Sequence, residues 1–302
     1  MKTTAQFRKM LETQKLLSLP GVYDGITARL SEQAGFKSVY MTGAGTSASM
    51  GYPDFGLLTM TEMVDRAATI ARSVKIPLIA DADTGYGNEL NVTRSVREFE
   101  RAGAAGIHIE DQVSPKRCGH LDGKEIVSRD EYFAKIRAAV SARSDRDFVI
   151  IARTDARAVA GFDEAVLRAN EALQCGADVA FVEATQSREE VAAVPRLVNG
   201  PCLLNIVRGG KTPDLALGLV EEMGYRIAIL PSLLLSAAVD AFEQTLKSLM
   251  ETNIPPSSTT TLPIHERFRK FGADEWSELR TKFLQPDSTA SDLRNKAGSI
   301  AG

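Results

Sequence analysis

Five consecutive residues, Lys116-Arg117-Cys118-Gly119-His120, put a thiol beside two cations, an imidazole and a flexible glycine. Positive neighbours lower a cysteine's pKa and fit it for proton donation or nucleophilic attack. The competing reading is a charged loop with an incidental cysteine. A second cluster precedes this one: Asp81 and Asp83, then Glu110 and Asp111. If Asp81 and Asp83 share a strand, alternation turns both carboxylates to one face. Carboxylates that close repel strongly unless a cation or a proton lies between them. An all-oxygen set including Glu110 favours Mg²⁺, with Mn²⁺ as the alternative, over zinc, which prefers His and Cys. The bland alternative pairs Asp81 and Asp83 with Arg153 in a structural network.

Such residues need a scaffold that carries them to one rim. Short apolar runs predict strands over 16–22, 38–42, 77–83, 106–111, 148–155, 179–183, 202–207 and 227–231. Between them, amphipathic spacing predicts helices over 59–73, 92–102, 129–142, 162–174, 188–198, 212–223 and 233–250. Apolar strands that alternate with helices indicate a parallel sheet covered on both faces. Eight such units favour an α/β chain closed as a (β/α)₈ barrel of the TIM type. An open doubly wound sheet is the runner-up, but its G-x-G-x-x-G fingerprint after the first strand is missing.

Residues 1–252 are read as the barrel and 253–302 as a linker with a C-terminal helical extension. A helix is predicted over 265–283, with Phe268, Phe271, Trp276, Leu279 and Phe283 giving it an apolar surface that needs a partner. The chain beyond about Gln285 is expected to fray.

Catalytic groups of such barrels gather at the C-terminal ends of the strands. Those ends carry Tyr40-Met41-Thr42-Gly43-Ala44-Gly45, Asp81 to Gly87, His108 to Asp111, Arg153 to Asp155, Glu183 and Asn205. Gly43 to Gly45 is read as a glycine-rich turn offering backbone N–H groups. Ionisable groups therefore converge on one rim, most of them acids.

Composition narrows the partners. The 302 residues are 44% hydrophobic and 25% charged, with net charge -3, which gives no general attraction to nucleic acid or anionic membrane. Cys118, Cys175 and Cys202 show no metal-ligand spacing, and their odd number suits a reducing compartment. No signal peptide or membrane-length apolar run is evident, so a cytoplasmic protein is expected.

Seven segments, in order, resemble the isocitrate lyase / phosphoenolpyruvate mutase superfamily over about residues 19–250. They are Pro20 to Asp24, Tyr40 to Gly43, Gly51 to Asp54, Asp81 to Gly87, His108 to Gln112, Pro115 to His120 and Ala152 to Ala156. The resemblance implies a Mg²⁺-dependent barrel enzyme acting on 2-oxo or 2-hydroxy carboxylates. It implies that Asp54, Asp81, Asp83 and Glu110 hold the metal directly or through water. Thr42, Gly43, Ala44, Gly119, Arg153, Glu183 and Asn205 would contact a small carboxylate substrate. It further implies a homotetramer that exchanges a C-terminal helix.

In the family's carbon–carbon-cleaving branch this loop's cysteine, here Cys118, protonates a departing enolate. Tyr40, or a water activated at the metal, would be the base. His120, Lys116 and Arg117 would tune the thiol or hold the loop. Ser236 stands where 2-methylisocitrate lyases carry an arginine, and His265 stands near a second expected arginine. Leu233 to Leu235 suggest an apolar wall. Arg208, where lyases usually carry glutamate, is either a compensating cation or a surface residue. The expected reaction is retro-aldol cleavage of a 2,3-dimethylmalate-like acid to pyruvate plus a carboxylate. The alternatives are 2-methylisocitrate cleavage, carboxyphosphonate- or phosphonate-type phosphorus chemistry, and oxaloacetate hydrolysis.

Overall fold

Eight parallel strands close on themselves in sequence order, so the expected barrel is present and the open sheet is excluded. The computed structural model describes residues 1–257 and 262–284. The strands are β1 (Leu17–Val22), β2 (Val39–Met41), β3 (Leu78–Asp81) and β4 (Gly106–Glu110), followed by β5 (Val149–Thr154), β6 (Val179–Val182), β7 (Cys202–Asn205) and β8 (Ile227–Leu230). Register closes through β1 and β8, where Leu17 faces Ile227 and Pro20 faces Leu230. Apart from Ser18 and Leu230, every strand residue is buried, which is why the strands read as unbroken apolar runs.

Helices α1 (Thr3–Thr13), α2 (Gly25–Gln33), α3 (Gly43–Ser49), α4 (Met60–Ser73) and α5 (Glu89–Arg101) come first. They are followed by α6 (Arg129–Ala142), α7 (Ala156–Val159), α8 (Phe162–Gln174), α9 (Arg188–Leu197), α10 (Leu217–Glu222) and α11 (Leu233–Thr252). Local chemistry starts several of them. Asp24 accepts the Thr27 N–H at 2.7 Å, and Thr59 and Glu62 cap α4 reciprocally. A cap of this kind contributes about 1 kcal/mol.

The barrel interior is filled by Leu19, Tyr40, Ile79, Ile151, Phe181 and Leu203. Phe7 of α1, fully buried, joins that cluster and stoppers the barrel at the end opposite the polar rim.

Four expectations need correction. The stretch at Gly43 is the short helix α3, capped by the Thr42 hydroxyl accepting from Gly45 N–H at 3.3 Å, and not an open turn. β3 stops at Asp81, because Asp83 adopts φ +45°; a turn and not strand alternation sets its direction. The helix predicted over 212–223 begins only at Leu217: Pro213 disfavours helical geometry at Thr212, and the backbone is still extended at Ala216 (ψ 140°). The tail helix predicted over 265–283 is two helices, α12 (Ile264–Arg269) and α13 (Ala273–Leu284). Gly272, at φ +87°, separates them, a conformation that L side chains rarely adopt.

Met1–Ile254 forms one compact unit, and the described residues from Pro255 onward belong to a second. The stretch from Gln285, expected to fray, lies outside the described residues. Helix α11 buries no residue of its own in the first unit, leaving Phe242 64% and Leu246 62% exposed. No helix among the described residues is long and apolar enough to cross a membrane.

Candidate active site

The strand ends deliver carboxylates and their cations to one buried rim. Asp81 ends β3, Glu110 ends β4, Arg153 lies near the end of β5, and Asp155, Glu183 and Asn205 follow or end β5, β6 and β7. Asp81 takes three donors: Asp83 N–H at 3.0 Å, Gly43 N–H at 3.2 Å and the Tyr40 hydroxyl at 3.4 Å. The Gly43 N–H, expected to meet a substrate carboxylate, is therefore turned to Asp81. His108 stacks inside the barrel with Nε2 2.9 Å from the Tyr40 hydroxyl and 3.4 Å from Asp81. Burial lowers the His108 pKa to about 4, so its ring is neutral at pH 7.

Arg153 is the hub of the opposite side. Its guanidinium lies 2.9 Å from Asp155, 3.2 Å from Glu110 and 3.8 Å from Glu183. The sequence alternative that paired it with Asp81 and Asp83 does not hold. The partner of Asp83 is Lys116, whose ammonium sits 2.9 Å from it and 2.6 Å from Asp54. Lys116 thus reaches past the thiol into the acid cluster.

The segment carrying Cys118 is folded down over this rim. Gln112 grips Arg117 twice, accepting its N–H and donating to its carbonyl, each at 2.9 Å. Cys118 N–H donates to the Asp54 carbonyl at 3.2 Å. His120 accepts the Lys211 N–H at Nδ1 (2.9 Å), so Nε2 carries the proton and meets Glu183 at 3.1 Å. Arg117 points the other way, over the Phe55 ring at 6.0 Å. The expectation of a lowered thiol pKa is overturned: burial first, then Asp54, raise Cys118 above its ordinary value. The two cations meant to lower it are occupied elsewhere. A raised pKa keeps the thiol protonated at neutral pH, as a proton donor requires.

Beneath the thiol lies a cavity of about 90 Å³ lined by Tyr40, Thr42, Ala44, Arg153 and Asn205, with Cys118, Gly119 and His120 above. Val207, Pro231 and Leu235 form an apolar wall. Glu183 stands behind this lining, fully buried, where it props His120 and accepts from Asn205 at 3.2 Å. Arg208 and Ser236 do not line it. They line an adjoining cleft with Asp214 and Asp240, which meets the Cys118 cavity at Ser232, and neither is part of that cavity's lining within one chain.

The acid cluster is short of positive charge. Among the described residues, Asp54, Asp81, Asp83, Glu110, Asp155 and Glu183 share three lysine or arginine partners, Lys116, Arg153 and Lys124. Both Glu110 oxygens are buried without a hydrogen bond. Burial raises Glu110 well above the carboxylate range and Asp83 to about 6, the response of acids short of positive charge. Among the described residues no three His, Cys, Asp or Glu side chains converge tightly enough to cage an ion directly. The donors fit a hard cation that keeps much of its water, which is the habit of Mg²⁺.

Three residues of this site escaped the sequence reading. Lys124 is a lone lysine in a polar stretch, indistinguishable by type from a solvated one. Gln112 clasps the Arg117 backbone with its side-chain amide, a role that an amide in a polar loop does not announce, and Lys211 meets His120 through its backbone N–H, which leaves no residue signature.

The chain matches the phosphoenolpyruvate phosphomutase family model over residues 7–250. It is 45% identical to 2,3-dimethylmalate lyase of Eubacterium barkeri over 280 residues, 89% of this chain and 97% of that one. It is 46% identical to 2-methylisocitrate lyase of Aeropyrum pernix over 244 residues, 81% of this chain and 79% of that one. A crystal structure of 2,3-dimethylmalate lyase superposes with TM-score 0.89 at 41% identity, covering 94% of this chain and 96% of the other. Match, barrel and cysteine loop agree: the chain belongs to the phosphoenolpyruvate mutase/isocitrate lyase superfamily.

Proposed function

We propose that this chain is a Mg²⁺-dependent carbon–carbon lyase that cleaves a substituted malate of the 2,3-dimethylmalate type. One observation carries the reading. A protonated thiol is held over a small cavity with one guanidinium and an apolar wall of Val207, Pro231 and Leu235. A 2-hydroxy diacid with methyl substituents matches that lining. A tricarboxylate would need a further cation, and Arg208 and Ser236 lie outside the cavity. An underpaired carboxylate in a dry site costs several kcal/mol. The 2-methylisocitrate alternative is therefore disfavoured.

Asp54, Asp81, Asp83 and Glu110 would hold the metal, chiefly through water, with Mn²⁺ as a workable substitute. Bound there, Mg²⁺ supplies a Lewis acid that polarises the oxygen destined to become the ketone. Arg153 pairs a carboxylate, and Thr42, Ala44 and Asn205 position the acid beside it. Burial pushes Tyr40 well above its ordinary pKa, so it is a phenol and not a phenolate. It serves as a relay: it accepts the 2-hydroxyl proton while its own passes toward His108 or Asp81.

The C2–C3 bond then breaks. One electron pair forms the ketone of pyruvate from the alkoxide, and the C–C pair becomes the enolate of the departing carboxylate. Cys118 delivers its proton to that carbon. With His120 and Gly119, it also closes the cavity to bulk water. In a phosphorus transfer, Cys118 would have no such task.

Two further readings accompany this one. A homotetramer exchanging a C-terminal helix is supported by α11, which leaves Phe242, Leu246 and Met250 largely exposed. A cytoplasmic site of action is supported by three free cysteines.

The test is a lactate-dehydrogenase-coupled screen of malate derivatives with Mg²⁺, run beside a ³¹P assay with phosphonopyruvate. Pyruvate release from 2,3-dimethylmalate is expected. Turnover of the phosphonate without cleavage of any malate would sink the proposal.

A further inference from the structure

We propose that Lys124 is the catch of the cysteine loop, a positioning residue that links closure over the substrate to Arg153. The inference rests on the reading of Cys118 as a proton donor on a closing loop. Substrate has to pass that loop, because Cys118, Gly119 and His120 form the cavity's cover.

Lys124 is built to stay while the cover moves. Its backbone lies in the loop's neck, where Val113 N–H donates to Glu125 C=O at 2.9 Å and Gln112 bridges Ile126. One turn further, Val127 N–H donates to Asp111 C=O at 2.9 Å. Its side chain, 1% exposed, runs inward to Asp155, 3.0 Å away and fully buried at the end of β5. Neck and Asp155 anchor Lys124 at both ends. Its ammonium then donates to the Gly119 carbonyl, in the residue next to Cys118. Of these contacts, only the one to Gly119 is made by the cover and is lost when the cover lifts.

Asp155 gives the catch its link to substrate. The same carboxylate takes Arg153 Nε at 2.9 Å, and Arg153 lines the cavity. A substrate carboxylate that engages Arg153 competes with Asp155 for its charge and leaves Asp155 more fully to Lys124. A buried ammonium also has nowhere else to place its remaining N–H bonds, since stranding a buried donor is costly. Filling the cavity and seating Gly119 thereby favour one another.

The experiment reads closure directly. Full-length protein with Mg²⁺ is labelled by a neutral maleimide, with and without oxalate, a planar dianion shaped like a pyruvate enolate. Modification of Cys118 is followed by peptide mass spectrometry. In the wild type, oxalate with Mg²⁺ should slow labelling. Lys124→Met should lose that protection by about ten- to a hundredfold, the range for one charge-assisted hydrogen bond. Lys124→Arg should restore it to within about threefold, as a merely structural defect would not.

Unaltered protection in Lys124→Met would overturn the proposal. So would loss of protection matched by an equal loss of calorimetric Mg²⁺ affinity, because Lys124 would then act on the metal site. Should Lys124→Met fail to fold, Lys124→Gln is read by the same criteria. Labelling does not depend on turnover. An active Cys118→Ser enzyme would therefore refute the proton-donor reading without touching the catch.

Discussion

Gly119→Ala isolates loop seating from every charged group in the site. A Cβ built on Gly119 would lie 2.5 Å from Arg153 Nη2 and 2.5 Å from Glu183 Cγ. Ordinary contacts between such atoms are about 3.5–4.0 Å, so each overlap exceeds 1 Å or so. Neither neighbour can yield cheaply. Arg153 is tied to Asp155 at 2.9 Å and Glu110 at 3.2 Å, and Glu183 is fully buried beneath His120. The loop therefore has to rise, and overpacking of this sort costs about 1–3 kcal/mol. Because the strain is relieved by opening, it falls on the closed state and not on the fold. The expected outcome is a roughly 5- to 150-fold drop in kcat/KM for pyruvate release, with Tm within a degree or two of wild type. Coupled-assay kinetics beside calorimetric melts measure both. Wild-type turnover, or a fall in Tm that accounts for the lost activity, would refute the reasoning.

Arg208→Ala should leave kcat/KM within about threefold of wild type, because Arg208 opens into a different cleft; a tenfold loss in coupled kinetics would restore it as a substrate cation. Leu235→Arg places a cation in the apolar wall and should lower kcat/KM for 2,3-dimethylmalate at least tenfold in the same assay; unchanged activity would remove Leu235 from the substrate pocket. The Cys118 thiol, raised by burial and then by Asp54, should deprotonate only above the ordinary thiol range. Its alkylation rate should therefore climb steeply only at alkaline pH, while turnover, which uses the protonated form, falls there; a labelling midpoint near pH 7 would contradict this.

Much of this site was readable from residue types, and the failures have physical causes. Strands buried on both faces leave an apolar run whatever their partners, so the barrel and its rim of acids were legible. Direction at the rim was not. Asp83 reaches the site through a left-handed turn, and the sequence spacing Asp-Ala-Asp mimics strand alternation equally well. Adjacency in sequence is not adjacency in space at the thiol: Lys116 reaches to Asp54 and Asp83, and Arg117 turns away to Phe55, so neither cation lowers its pKa. Ser236 and Leu235 are neighbours in α11 yet open into different cavities, a distinction set by helix phase that residue matching ignores. Lys124 carries no signal at all, since a buried lysine is recognised only by what it touches.

The central claim is that Cys118 gives its proton to the enolate left by C–C cleavage. Its most direct test is kcat of Cys118→Ser on 2,3-dimethylmalate, with Mg²⁺ affinity measured on the same protein by calorimetry. A hydroxyl is a far weaker acid than a thiol, so turnover should fall by about 10²–10⁴-fold while Mg²⁺ affinity stays at the wild-type value. Near-normal turnover by Cys118→Ser would contradict the account.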